Sequence, residues 1–157
     1  PMGIEPRPVQ DAADLVRLLR RAEPGVRVIV DLPAIDPYRG EDLSWLGDLA
    51  QVAGAAPTVV MPAGLDPHEV AEMAENLVAV GCQRMVVTRL DLTRRLGSVM
   101  TAAAAGLAIA NATASPLIGK GLLPMDALGL ARLLLAQAAV DPAASPATSH
   151  SLRREVP

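Results

Sequence analysis

Three residues that could read a purine base stand directly after the apolar run Val86-Val87: Thr88, Arg89 and Asp91. A carboxylate accepts two hydrogen bonds from adjacent N–H groups, which guanine offers on one edge and adenine does not. A guanidinium can stack on the plane of a base. The structural alternative is a turn in which Asp91 caps a following helix. The pattern therefore leaves two interpretations open, a base-reading loop and a turn.

A second carboxylate, Asp31, ends another apolar run, residues 26–30. Mg²⁺ prefers oxygen ligands, keeps several of its waters and uses few carboxylates, so Asp31 is a candidate to order that water shell. An acid after a strand also commonly starts a turn or caps a helix, and this interpretation stays open as well. In an open parallel sheet, ligands bind beyond the carboxyl ends of the strands, where both carboxylates would lie.

The elements that must position these residues are short apolar runs alternating with helical patterns. Strands are predicted at residues 26–30, 57–61, 84–88 and 107–110, with a weaker edge strand at residues 5–9. Helices are predicted after the N-caps Asp11 and Asp66, and at residues 41–53, 93–105 and 126–138. This alternation predicts right-handed β-α-β crossovers. We expect an α/β fold with three layers, an open, mostly parallel sheet with helices on both faces.

Composition narrows the class of protein. The chain has 157 residues, 51% of them apolar, which suits one domain with a sizeable core. The net charge is −3 without a block of like charges, so we expect no binding to DNA. The single cysteine, Cys82, excludes an internal disulfide and fits a reducing compartment. Residues 140–157 are rich in Pro, Ala and Ser and are predicted to form a disordered tail.

Other reactive residue types carry little signal. His68 is expected at the surface of a helix and His150 lies in the predicted tail, so no metal site is drawn from them. Cys82 follows a helix-ending glycine and is interpreted as a small buried residue. The run GKGLLP lacks the GxxxxGK[ST] pattern and is not a phosphate loop.

Taken in order, the segments resemble the GTPase domain of the signal-recognition-particle family, and most closely its flagellar-biosynthesis branch. DLPAIDP, from Asp31 to Pro37, is similar to the family's DTAGR or DTPGxNP motif, and TRLD, from Thr88 to Asp91, to its TKxD motif. LTRRLGSVM, residues 92–100, looks like DETxxLGxxL. The resemblance covers residues 1–139 and implies the C-terminal part of a P-loop NTPase-like domain.

The resemblance implies GTP or GDP and Mg²⁺ as ligands, with a role for each matching residue. Asp31 would hold the Mg²⁺ shell, and Ala34 stands where the family has the glycine that meets the γ-phosphate. Asp91 would bind the guanine edge, Arg89 would lie along the base and Thr88 would support the loop. Backbone contacts to the base would come from Asn111, Ala112 and Thr113. No catalytic side chain is assigned.

The same resemblance implies partners and a location. A homodimer or heterodimer would form through the nucleotide face, near Arg95 and Gly97. The protein would hydrolyse GTP and help to place flagellar or secretory machinery. It would be cytoplasmic, with peripheral association at the inner membrane or cell pole.

This chain also departs from the family pattern. Leu32 replaces a threonine, Ala34 replaces a glycine and Arg89 replaces a lysine. In the family the phosphate loop lies upstream of the segment that begins here at Pro1, so hydrolysis requires that loop to precede Pro1. The alternative is a degenerate α/β scaffold or interaction module that hydrolyses nothing. An unrelated α/β domain with two accidental motif matches is a third possibility.

In the resembled family the phosphate-loop strand is central, so its absence would leave strand edges and apolar helix faces uncovered. We therefore expect the 157-residue chain to be marginally stable or self-associating. Sedimentation and thermal unfolding at several protein concentrations would measure this. A sharp, cooperative melt of a monomer that is independent of concentration would contradict it.

Overall fold

The structure is a computed structural model that describes residues 6–117 and 121–140. The described residues fall into two compact units, divided between Met125 and Asp126. The first unit contains the sheet and the first four helices. These helices are α1 (Ala12–Arg20), α2 (Gly40–Ala53), α3 (Pro67–Ala79) and α4 (Gly97–Ala104).

The sheet has four strands in the order β1 (Thr58–Pro62), β2 (Arg84–Thr88), β3 (Ala108–Ala112) and β4 (Leu123–Pro124). The three longer strands are parallel, and β4 runs antiparallel to β3. A register shift between Met85 and Val86 interrupts the pairing of β2 with β3. The predicted α/β class with an open, mostly parallel sheet is confirmed, and β4 is an edge strand that the sequence did not predict.

One face of this sheet carries the core. Both β-α-β crossovers advance in the same direction across the sheet, so right-handed connections place α3 and α4 on the same face. These two helices pack against each other. The largest fully buried side chains on or next to the three parallel strands are Met61, Met85, Val87 and Leu107. The opposite face is open at β1, where Val60 is 69% exposed.

Local sequence signals set the helix ends as expected. The Asp11 carboxylate accepts a hydrogen bond from the Asp14 N–H at 2.7 Å, and that of Asp66 accepts from His68 N–H at 2.8 Å. Each cap satisfies an amide that has no partner within its helix. Gly54 follows α2 with a φ of 60°, and Gly81 follows α3 with a φ of 98°. These left-handed conformations cost a glycine little.

The predicted strand at residues 26–30 is wrong. The structure has no strand there, and Val26, Val28 and Ile29 are 58%, 47% and 87% exposed. Apolar, β-branched residues favour a strand only when a neighbouring strand pairs with their backbone. No described strand pairs with this segment. Its run of valines and isoleucine is therefore irregular chain outside the sheet.

Two smaller predictions also need correction. Residues 6–9 of the predicted edge strand are exposed and form no strand. The helix predicted at residues 93–105 begins only at Gly97, because a 3-10 helix at Leu90–Leu92 and an irregular segment come first. Leu96, and not Asp91, is the N-cap of α4. The interpretation of Asp91 as the cap of this helix is therefore wrong.

The second unit contains α5 (Ala127–Val140), close to the predicted helix. Its start is fixed by the Asp126 carboxylate, which accepts a hydrogen bond from Gly129 N–H at 2.7 Å. The predicted tail lies outside the described residues apart from Val140. No helix in the described part of the chain is long and apolar enough to cross a membrane.

Met85→Ala should lower the free energy of unfolding by about 2–5 kcal/mol, because it empties a fully buried position of the core. Met100→Ala is the matched control, since Met100 is 42% exposed on α4 and should change stability by less than about 0.5 kcal/mol. Urea denaturation of both variants would measure the difference. Equal effects of the two substitutions would contradict the described core.

Candidate functional site

The loops that follow β1, β2 and β3 are tied to one another at the carboxyl edge of the sheet. Ala63 N–H donates to Thr88 C=O at 2.9 Å, which joins the first loop to the second. Thr113 N–H donates to Val87 C=O at 2.9 Å, and Leu90 N–H donates to Thr113 C=O at 3.0 Å. These backbone bonds continue the two ladders past the last strand residues. They bring the predicted base-reading residues of β2 beside those of β3.

Arg89 has a strained backbone at the centre of this edge. Its φ is 60°, and it is the only non-glycine residue with a positive φ in the described part of the chain. A side chain in this left-handed conformation costs about 1–2 kcal/mol, which the surroundings must offset. Thr93 Oγ donates to Arg89 C=O at 3.0 Å, and Arg89 N–H donates to Thr113 Oγ at 3.4 Å. The backbone is therefore held from both sides, while the guanidinium remains exposed.

Asp91 lies in the 3-10 helix that follows, with an exposed side chain. Among the described residues its carboxylate makes no hydrogen bond or ion pair. Two other surface carboxylates, Asp14 and Asp42, each pair with an arginine three residues away. Thr88 is half-buried, and its hydroxyl donates to Met61 C=O at 3.4 Å, back across the sheet. The Thr88 hydroxyl is thus tied to β1, and the Asp91 carboxylate has no partner among the described residues.

The three predicted base-contact residues of β3 occupy different positions. Ala112 is fully buried and pairs with Val87 on one side and Leu123 on the other, so its backbone belongs to the sheet. Asn111 is half-buried in the same strand and pairs with Pro124. Thr113 is the first residue beyond β3. The N–H, C=O and hydroxyl of Thr113 already make hydrogen bonds with Val87, Leu90 and Arg89, so the backbone atoms free to meet a base at this edge come from the residues after Thr113.

Asp31 and Ala34 lie elsewhere, where they line a cavity of about 830 Å³ beside β1. Both residues are exposed, and the carboxylate of Asp31 has no hydrogen-bond partner among the described residues. The next turn is instead fixed by Asp36, whose carboxylate accepts from Tyr38 N–H at 2.9 Å. Asp31 therefore caps neither a turn nor a helix in this structure.

In the described structure, the predicted Mg²⁺ and phosphate residues do not share a pocket with the predicted base-reading residues. The cavity is lined by Asp31 and Ala34 but by none of Thr88, Arg89 and Asp91. The described residues contain no cluster of three or more His, Cys, Asp and Glu side chains that could enclose a metal ion. Asp31 could serve Mg²⁺ only as a single carboxylate acting with waters and the phosphates of a ligand, which is how Mg²⁺ is commonly bound.

Two positions gain a structural role that the sequence did not reveal. Ser98 is buried, and its hydroxyl donates to Ala63 C=O, which fixes the start of α4 against the loop after β1. Gly97 lies beside Pro67 at the start of α3, where an added Cβ would come within 3.1 Å of the proline ring. Packing therefore accounts for this glycine without a dimer partner. In the sequence these two positions are only a serine directly after a glycine, a pattern that does not indicate either contact.

Cys82 matches its predicted role as a small buried residue. Burial raises the pKa of its thiol, which keeps the side chain protonated and unreactive at neutral pH. His68 is exposed near the start of α3, as expected. Neither residue contributes to the carboxyl edge.

Comparison with models of protein families, with curated proteins and with solved structures finds no match to this chain. The functional argument therefore depends on the residues and on their geometry.

Arg89→Gly should raise the free energy of unfolding by up to about 1 kcal/mol, because glycine adopts a φ of 60° without a Cβ clash. Arg94→Gly is the control, since Arg94 is exposed and does not have a positive φ, so added backbone freedom should lower stability. Urea unfolding would compare the two. A loss of stability in both variants would show that the Arg89 backbone is not strained.

Proposed function

We propose that this chain binds guanine nucleotides through the loop from Thr88 to Asp91, as part of a GTPase of the signal-recognition-particle type. One observation supports this most directly. An exposed, unpaired carboxylate follows a strained residue whose backbone is held by Thr113 at the end of β3 and by Thr93 in the same loop. Backbone strain of this kind concentrates at ligand-binding sites, where the surrounding structure must maintain it.

In the proposed complex, Asp91 accepts hydrogen bonds from the ring N–H and the amino group of guanine. Adenine has an acceptor where guanine has its ring N–H and a C–H where guanine has its amino group. Both hydrogen bonds are therefore lost, and a repulsive contact replaces the first. The guanidinium of Arg89 lies along the base plane, which suits its exposed and unpaired state. The residues after Thr113 supply backbone contacts from the end of β3.

The phosphate side of the proposed site is incomplete in these 157 residues. Asp31 and Ala34 are the residues that would face Mg²⁺ and the γ-phosphate, but the chain contains no GxxxxGK[ST] motif. Such a loop normally supplies the backbone N–H groups that cradle the phosphates. The base should therefore contribute most of the affinity of this chain. GTP should bind little more tightly than GDP.

Hydrolysis in this reaction class depends on positioning and charge stabilisation around an in-line attack by water, without a covalent intermediate. These residues offer a carboxylate for the Mg²⁺ shell and a reader of the base, and no catalytic base is assigned among them. We extend the proposal to GTP hydrolysis only for a protein that also supplies a phosphate loop. On the basis of the resemblance, we also propose a nucleotide-dependent dimer and a role in flagellar biosynthesis or protein targeting to the membrane.

Asp91→Asn should weaken GDP binding by roughly 10- to 150-fold, the effect of removing a charged hydrogen-bond acceptor worth about 1.5–3 kcal/mol. The same substitution should improve binding of xanthosine diphosphate, whose ring carbonyl accepts a hydrogen bond from the new amide. Isothermal titration with GDP, xanthosine diphosphate and ADP would measure both effects. Asp48→Asn, an exposed site on α2, is the matched control.

A second candidate function is a non-hydrolysing interaction module. The position of residues 26–33 outside the sheet, with most of them exposed, favours it, together with Leu32 and Ala34 in place of the family's threonine and glycine. Equal and weak binding of GDP and ADP, unchanged by Asp91→Asn, would exclude the guanine-binding proposal and favour the module.

A further inference from the structure

We propose that Thr93 is a positioning residue of the guanine site: its hydroxyl fixes the turn that carries Asp91, and this fixed position gives the carboxylate its preference for guanine. The inference rests on the proposed function and adds to it a residue that acts only through Asp91. Three features carry it: the Thr93 hydroxyl closes the turn, Asp91 lies between two anchored residues, and the loop after β1 lies against the hydroxyl.

The turn from Arg89 to Thr93 is closed by a side chain at the point where its regular backbone bonds end. Leu92 N–H donates to Arg89 C=O at 3.1 Å, which is the bond of a single 3-10 turn. Thr93 is already extended, with a φ of −112°, and its N–H donates to Leu90 C=O at a long 3.4 Å. The Thr93 hydroxyl instead donates to Arg89 C=O at 3.0 Å. It therefore supplies the bond that the N–H of the fourth residue along would make in an α-helix.

Asp91 lies between two residues that are anchored in the fold. Before it, Leu90 is buried, and its N–H donates to Thr113 C=O at 3.0 Å. After it, the side chain of Leu92 is 76% exposed and contributes little packing. Thr93 is half-buried and makes the hydroxyl bond described above. Thr93 is therefore the first residue after Asp91 whose side chain ties down the turn.

The loop after β1 confines the same hydroxyl. A Cβ added at Gly64 would lie 3.4 Å from the Thr93 hydroxyl oxygen, so the backbone of this loop lies directly against it. The loop is bound to β2 in turn, since Ala63 N–H donates to Thr88 C=O at 2.9 Å. The hydroxyl thus lies between two loops whose positions the sheet fixes. Its own movement, and that of the turn it closes, is restricted.

A fixed carboxylate matters most for the second of its two hydrogen bonds to guanine. A mobile carboxylate can still accept one bond from the ring N–H, whereas two parallel bonds to the ring N–H and the amino group require one orientation. Hypoxanthine, the base of inosine diphosphate (IDP), has the ring N–H and lacks the amino group. The ratio of the GDP affinity to the IDP affinity therefore measures how firmly the Asp91 carboxylate is positioned.

Thr93→Val keeps the shape of the side chain and removes the hydroxyl, and isothermal titration of the full chain with GDP and IDP is the measurement. GDP binding should weaken by roughly 3- to 10-fold, the effect of one net hydrogen bond, and IDP binding by less than about twofold. Thr93→Ser retains the hydroxyl and should restore the parent ratio. Thr101→Val, the same change at a half-buried threonine of α4, is the matched control and should leave both affinities unchanged.

A double-mutant cycle tests whether Thr93 acts through Asp91. In the Asp91→Asn background, Thr93→Val should change GDP affinity by less than about twofold, because the carboxylate that it positions is already absent. Independent, additive losses from the two substitutions would overturn the inference.

Hydrogen exchange without nucleotide gives a second measurement. Exchange of the Leu92 N–H, which donates to Arg89 C=O, should quicken by at least about threefold in Thr93→Val, because the turn opens more often. Exchange at Leu90, whose N–H bonds to the end of β3, should stay unchanged and report an intact sheet. Unchanged exchange at Leu92 would overturn the inference whether or not a nucleotide binds.

The titrations separate failure of this inference from failure of the proposed function. Equal weakening of GDP and IDP in Thr93→Val would make the effect one of general stability and overturn the inference, as would a Thr93→Ser variant that behaves like Thr93→Val. GDP binding that responds to Asp91→Asn and not to Thr93→Val would refute the inference alone. A parent chain that binds no GDP, or binds it without responding to Asp91→Asn, would refute the proposed function and the inference with it.

Discussion

The hydrogen-bond ladders on both edges of β2 are the constraint on which the rest of this structure depends. They fix β1 and β3 beside it, and they continue past the strand ends through Ala63, Leu90 and Thr113. Because a parallel sheet places all its carboxyl ends on one edge, the loops that follow these strands must meet there. The position of every candidate base-reading residue follows from this pairing.

The same edge explains why a strained residue can persist. The left-handed conformation of Arg89 would be unfavourable in an isolated turn, but hydrogen bonds from Thr93 and to Thr113 hold its backbone on both sides. The strain redirects the chain, so that Asp91 enters a short 3-10 helix and does not cap α4. An acid that could have been structural is left exposed and without a described partner. This is the physical basis of the proposed guanine reader.

The rule that strand backbones must be paired also accounts for what this sheet lacks. Residues 26–30 have a composition typical of a buried strand, yet four of the five lie exposed, while no described strand pairs with the outer edge of β1. The two features face one cavity with an apolar floor.

The sequence by itself determined the α/β class, β1 to β3, and the helices whose ends carry local signals. Asp11 and Asp66 cap their helices, and Gly54 and Gly81 end theirs, because these effects act over three or four residues. Only the tertiary structure decided that residues 26–30 stay outside the sheet, that Arg89 adopts a positive φ, that α4 starts at Gly97 and that Ala112 is buried within the sheet. Each of these depends on backbone partners distant in the chain, which composition and periodicity do not record.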